Sequence, residues 1–160
     1  MTTLVNLQNK ILDAEQLRRK LALWRFKQQK IVFTNGCFDL INKGHLHCLS
    51  SIADLGQRFI IGLNSDSSVR ALKGETRPIQ AEETRASILA AFSFVDAVVL
   101  FNEATPFNLI QTICPNVLAK GGDYKISEIV GADIVQKNGG EVVLIPYLEG
   151  YSTTGILKEG

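Results

Sequence analysis

Apolar residues gather in five short runs, at 31–33, 59–63, 97–101, 117–119 and 142–145. Each is apolar throughout and bounded by polar or glycine-bearing positions, the pattern of a strand buried on both faces of a parallel sheet. Helical spacing falls between them, over 45–55, 67–72, 82–93, 106–113 and 127–137. Upstream, Asp13 caps a predicted helix in which Ala14, Leu17, Leu21 and Trp24 share one face. Thr105-Pro106 reads as an N-cap followed by proline at the first helical position. Gly56 suits the end of the helix over 45–55, and Gly139 or Gly140 the end of the last one. Repeated strand–helix units predict an α/β, Rossmann-like doubly wound sandwich of about five parallel strands, with helices on both faces and right-handed crossovers. No repeat, linker or low-complexity tract interrupts the pattern. The expectation is one domain over 1–160, with 1–29 a helical extension and 30–160 the core that carries the chemistry.

In open parallel sheets, ligands sit beyond the C-terminal strand ends, where the strand order reverses. Four of the apolar runs lead into polar segments at that edge. The first is followed by Asn35-Gly36-Cys37-Phe38-Asp39 and Asn42-Lys43-Gly44-His45, the second by Asn64-Ser65-Asp66. The fourth leads into Lys120-Gly121-Gly122-Asp123-Tyr124 and the fifth into Glu149-Gly150-Tyr151-Ser152-Thr153-Thr154. Any one of these is weak; together they predict a cleft that handles phosphate.

His45 stands at a helix start, where backbone N–H groups favour anions. As a cation or an N–H donor it could stabilise charge on a pentacoordinate phosphorus; alone, it would read as a capping or surface histidine. Gly44 removes a Cβ where a nucleotide could approach the backbone. Lys43 is read equally as a phosphate contact or a solvated lysine. His47, two positions on, faces away from His45 and reads as solvated or partner-facing. Ser152, Thr153 and Thr154 suit terminal phosphates or an ordinary N-cap. Lys73 and Arg77 put two cations in one loop, suited to a phosphomonoester or simply to solvent. Arg85 lies near a helix start, where the dipole disfavours cations, so it reads as a ligand or ion-pair residue.

Composition removes several classes of function. The chain has 160 residues, 46% hydrophobic and 21% charged, with a net charge of +1. No global field recruits nucleic acid or an anionic membrane, and no run approaches the roughly 18 apolar residues of a membrane span. The cysteines Cys37, Cys48 and Cys114 are scattered and odd in number, and read as packing residues rather than a disulfide framework. Two histidines make a structural zinc site a poor fit, and no metal ligands are assigned. A reduced, cytoplasmic setting is expected.

Taken in order, these segments resemble the cytidylyltransferase-like branch of the nucleotidyltransferases, and within it the adenylyltransferases of ADP-heptose synthesis. The resemblance runs from about residue 10 to the C-terminus. It rests on Thr34-Asn35-Gly36-Cys37-Phe38-Asp39, Gly44-His45, Asn64-Ser65-Asp66, Leu72-Lys73-Gly74 with Arg77-Pro78, Glu83 with Arg85, Lys120-Gly121-Gly122-Asp123-Tyr124 and Ser152-Thr153-Thr154. It implies transfer of AMP from ATP to D-glycero-D-manno-heptose 1-phosphate with release of pyrophosphate. It also implies Mg²⁺ carried with ATP, and a homodimer. A sugar-kinase half, fused to the transferase in many relatives, does not fit in 160 residues, so a stand-alone transferase is expected. By the same resemblance, His45 holds the α- and β-phosphates, while Lys43 and residues 152–154 take the β- and γ-phosphates. Asn35, Gly36, Cys37 and Phe38 frame the nucleotide, with Gly44, Lys120, Gly121 and Asp123 beside it. Lys73, Arg77 and Arg85 clamp phosphate.

The family motif is H-x-G-H, and this chain departs from it at Asn42. Asparagine carries no charge, but its NH₂ still donates, and the related phosphopantetheine adenylyltransferases have threonine there. Asn42 is therefore expected to serve as a neutral donor in an active enzyme. Two other readings stand. One is a CTP-dependent cytidylyltransferase acting on glycerol 3-phosphate or a similar alcohol phosphate; against it, the arginine with which those relatives open the run Arg-Thr-Glu-Gly-Ile-Ser-Thr-Thr is here Tyr147. The other is a nucleotide-binding protein that has lost catalysis, which Asn42 alone supports.

Overall fold

The structure is a computed structural model and describes residues 2–151. Two helices open the chain, α1 (Thr3–Gln8) and α2 (Ala14–Phe26). Asp13 caps α2 as expected: its side chain accepts from the Gln16 N–H, and the Gln16 side chain accepts from the Asp13 N–H. The strands are β1 (Ile31–Gly36), β2 (Arg58–Asn64), β3 (Ala97–Phe101), β4 (Val117–Gly121) and β5 (Glu141–Ile145). They form one sheet in the order β3-β2-β1-β4-β5, with every neighbouring pair parallel. The helices α3 (Lys43–Ala53), α4 (Asp66–Lys73), α5 (Glu82–Ala91), α6 (Phe107–Ile113) and α7 (Ala132–Lys137) connect them.

Each strand alternates its side chains between the two faces, so a run apolar throughout feeds two cores. Ile31 and Phe33 pack with Leu17, Leu21 and Ile113 on the α2/α6 face. Val32, between them, packs with Leu49, Ile52 and Leu89 on the α3/α5 face. Each such side chain is essentially shut off from water, and full burial of one stabilises by about 1.5–3 kcal/mol.

Local detail departs from the sequence pattern at three places. α1 falls within the helical extension expected over 1–29 but was not placed as a helix of its own; it buries none of its residues. The helix expected over 127–137 divides into a 3-10 turn (Ile126–Glu128) and α7, because Gly131 sits at φ +83 and breaks the helical path. Pro106 precedes α6 rather than opening it. At the end of α7 the Gly139 N–H bonds Gln136 O and the Gly140 N–H bonds Val135 O, the two-bond glycine stop that this pair of residues announces.

The strand order reverses between β1 and β4. These two strands pair only at Val32↔Val117 and Phe33↔Leu118, although both continue further. Beyond those pairs the sheet is no longer closed at its C-terminal edge, and a cleft opens there.

Candidate active site

The cleft encloses about 660 Å³ above the ends of β1 and β4. Asn35, Gly36, Cys37, Phe38, Gly44, His45, Lys73, Arg77, Lys120 and Gly121 all border it. The topology thus brings most of the predicted residues to one place. Lys120 rises from β4 and its Nζ donates to Asn35 O at 3.1 Å and to Asn35 Oδ1 at 3.3 Å. It supplies across the gap the donor that the interrupted β1–β4 ladder lacks. Burial lowers its ammonium pKa, while the nearby thiols of Cys37 and Cys48 pull it back up.

The turn after β1 holds its shape by close packing. Phe38 adopts a left-handed conformation, φ +45, which for a non-glycine residue costs on the order of 1 kcal/mol. Its ring lies over Gly36, where a Cβ would meet it at 2.9 Å. The same ring meets His45 edge-on, with centroids 5.8 Å apart. His45 is the third residue of α3. Its Nδ1 accepts the Asn42 N–H at 3.2 Å, which leaves Nε2 to carry the ring proton. Burial and, less strongly, the charge of Lys73 lower its pKa below the usual 6.5, so the ring is neutral at physiological pH.

Arg77 is held rather than free. Its Nε donates to Asp39 Oδ2 at 2.7 Å, and Asp39 also accepts the Ile79 and Gln80 N–H groups. Burial raises the Asp39 pKa, but those backbone donors and Arg77 outweigh it, and the carboxyl ends below its ordinary value. Arg77 Nη2 is buried without any hydrogen-bond partner. A buried orphan donor costs about 1–3 kcal/mol, and a phosphate oxygen in the cleft would satisfy it.

Four expected residues lie elsewhere. Arg85 is fully buried, and its donors go to Gln80 O, Cys37 O, Asn64 O and Asp66 Oδ1. It ties the turn after β1, the junction of β2 with α4 and the segment before α5 together and does not border the cleft, which favours the ion-pair reading. Asn42 also lies off the cleft wall, with its side-chain oxygen turned to the start of α3. Lys43 is exposed, with Nζ over the Tyr151 ring at 5.6 Å. Asp123 is exposed and outside the cleft lining. Ser152, Thr153 and Thr154 lie outside the described residues. Gly44 does admit a close approach, but to protein: a Cβ there would meet Tyr151 Cβ at 2.9 Å.

A family model described as cytidylyltransferase-like matches residues 33–158, which include every residue bordering the cleft. The chain belongs to this family of nucleotidyltransferases. It is 48% identical over 153 residues to the bifunctional protein HldE of Koribacter versatilis, covering 96% of this chain and 32% of that one. It is 51% identical over 146 residues to the protein of the same name from Nitrobacter hamburgensis, covering 91% and 30%. The chain thus spans about a third of the length of these relatives. Among solved structures, a lipopolysaccharide core biosynthesis protein from Thermoplasma volcanium superposes with a TM-score of 0.65 at 23% identity, over 76% of this chain and 99% of that one. A pantoate-beta-alanine ligase from Francisella tularensis gives 0.61 at 17%, over 92% and 75%. Both share the fold.

The sequence did not single out several residues of this nucleotidyltransferase's cleft. Asp39 was part of a motif but had no role; its signal was an aspartate in an otherwise apolar stretch, which a buried anchor requires. Tyr124, Tyr147 and Tyr151 line the outer wall. Burial and a hydrogen bond with Tyr124 push the Tyr147 phenol pKa up. Only their clustering in space marks them. Cys48, read as packing, does pack: a Cβ on Gly121 would sit 2.5 Å from its Sγ, and it also borders the cleft.

Proposed function

We propose that this domain transfers AMP from ATP to a sugar 1-phosphate, D-glycero-D-manno-heptose 1-phosphate, releasing pyrophosphate and giving ADP-heptose for lipopolysaccharide core or related glycan synthesis. The observation that carries the reading is the gathering of His45, Lys73, Arg77 and Lys120 on one cleft, with an orphaned guanidinium nitrogen among them. The choice of ATP and heptose rests on the motif resemblance and on the 48–51% identity to the relatives named above.

In this mechanism a phosphate oxygen of the sugar attacks the α-phosphorus of ATP in line. The new P–O bond forms as the bond to the pyrophosphate oxygen breaks, with no covalent enzyme intermediate. The protein positions the two substrates and stabilises charge as it develops. Neutral His45 donates through Nε2–H to the α/β-phosphate oxygens; Lys120 adds positive charge next to Asn35. Arg77 and Lys73 hold the acceptor's phosphate. Residues 152–154 take the terminal phosphates. Among the described residues, no group of three or more His, Cys, Asp or Glu side chains is placed to hold a metal. By the motif resemblance, Mg²⁺ would arrive with the nucleotide substrate, bound mainly by phosphate and water.

The test is pyrophosphate release with ATP and CTP against a panel of sugar and alcohol phosphates. Release with ATP and heptose 1-phosphate is expected. A requirement for CTP, or nucleotide binding without release on any acceptor, would overturn the reading.

A further inference from the structure

Asn42 stands where the family motif has its first histidine, and its geometry is not that of a phosphate ligand. Its Oδ1 accepts the Gly44 N–H at 2.8 Å and the His45 N–H at 3.3 Å. Its Nδ2 faces Leu40 O at 3.5 Å. Its own N–H donates to His45 Nδ1 at 3.2 Å. Side chain and backbone together form a reciprocal capping box, with His45 in the place usually held by Glu or Gln. The extended backbone at Asn42, φ −136 and ψ −179, aims that N–H back over the first turn of α3.

We propose that Asn42 is a positioning residue: by capping α3 it fixes His45 as the Nε2–H tautomer facing the reacting phosphates, and makes no phosphate contact itself. The inference rests on the transferase reading above for its consequence in catalysis, but its geometric half does not. Asparagine is among the best N-cap residues. Its side chain fixes the turn from which its main-chain N–H holds the imidazole. The ring is held on its other side by the edge contact with Phe38. Lys73 at the end of α4 is the charge that bears on the ring, and Lys43, over the Tyr151 ring, stands at the start of α3.

The tautomer is read directly from the imidazole ¹⁵N shifts of the free protein. An acceptor-type Nδ1 and a protonated Nε2 are expected for His45; a protonated Nδ1 would overturn the proposal with no variant needed. Asn42→Ala keeps the main-chain N–H that meets Nδ1 but removes both side-chain bonds that fix the first turn of α3; the loosened turn should lower the ratio of Nε2–H to Nδ1–H forms by up to about fivefold, the worth of one hydrogen bond, and lower kcat with KM for ATP nearly unchanged. Asn42→Ser, which still caps, should restore both. A raised KM for ATP with unchanged kcat in Asn42→Ala would mark a phosphate ligand and defeat the proposal. Absence of turnover in the wild type would defeat the transferase reading, and the ¹⁵N pattern would still judge the capping claim.

Discussion

Two arginines, Arg77 in the loop before α5 and Arg85 within α5, anchor clusters that behave in opposite ways. Behind the cleft, Arg85 gives every guanidinium nitrogen to a protein acceptor: two donors to Cys37 O and Asn64 O, one to Gln80 O, one to Asp66. On the cleft wall, Arg77 gives Nε to Asp39 but leaves Nη2 buried and unmatched. The two arginines come from adjacent segments and look alike in sequence. A buried cation whose every nitrogen already meets an acceptor holds the fold together; one with an unmatched nitrogen needs something from outside. That difference separates scaffold from binding surface.

Breaking the saturated cluster should give the largest effect. Arg85→Ala strands three carbonyls and the Asp66 carboxylate, and should cost about 3–5 kcal/mol of stability, measured by urea unfolding. On the open side, His45→Ala should lower kcat about 10²- to 10³-fold, as loss of one charge-stabilising donor does, while its unfolding midpoint moves little. Arg77→Ala should raise KM for the sugar phosphate about tenfold or more, the worth of a charge-assisted hydrogen bond, with KM for ATP moving far less. If Arg77→Ala and Arg85→Ala had the same profile, the distinction between the two clusters would collapse.

A smaller effect is expected from pH. The folded-state pKa of His45 lies below the unfolded value near 6.5. The unfolded chain therefore binds more protons in that window, and stability should fall as pH drops from about 6.5 toward the folded value. Protonating Nδ1 also removes the acceptor of the Asn42 N–H. Asp39 has the opposite chemistry with the same sign: its folded pKa lies below 3.8, so its contribution holds above that value and is lost as pH falls through the lower one. Urea midpoints between pH 7 and pH 5 should decline in the wild type and flatten in His45→Gln. Least of all, Asn42→His should change turnover by less than about tenfold, since the cap it disturbs is worth roughly 1 kcal/mol.

The layered sheet was legible because strands buried on both faces have little choice of residue: Ile31, Val32 and Phe33 must all be apolar to serve two cores. His45, Lys73, Arg77 and Lys120 were legible because the strand-end rule puts their segments at one edge. Arg85 and Asn42 were harder. Sequence can show that an arginine or asparagine is near the site, but not which atoms are already engaged. Asn42 read as a donor through its NH₂, whereas its oxygen is the working atom. Tyr124 and Tyr151 stood in strand-end segments without a role and Tyr147 was unmarked, for another reason: they lie on loops with no periodicity and share a cleft only in the folded chain.

The most direct measurement is the rate of pyrophosphate release from ATP with D-glycero-D-manno-heptose 1-phosphate, for the wild type and for His45→Ala. Robust release by the wild type, reduced at least a hundredfold in His45→Ala with the fold intact, is the expected result. Full turnover by the variant would contradict the assignment of His45, and a wild type that works only with CTP would contradict the proposed reaction.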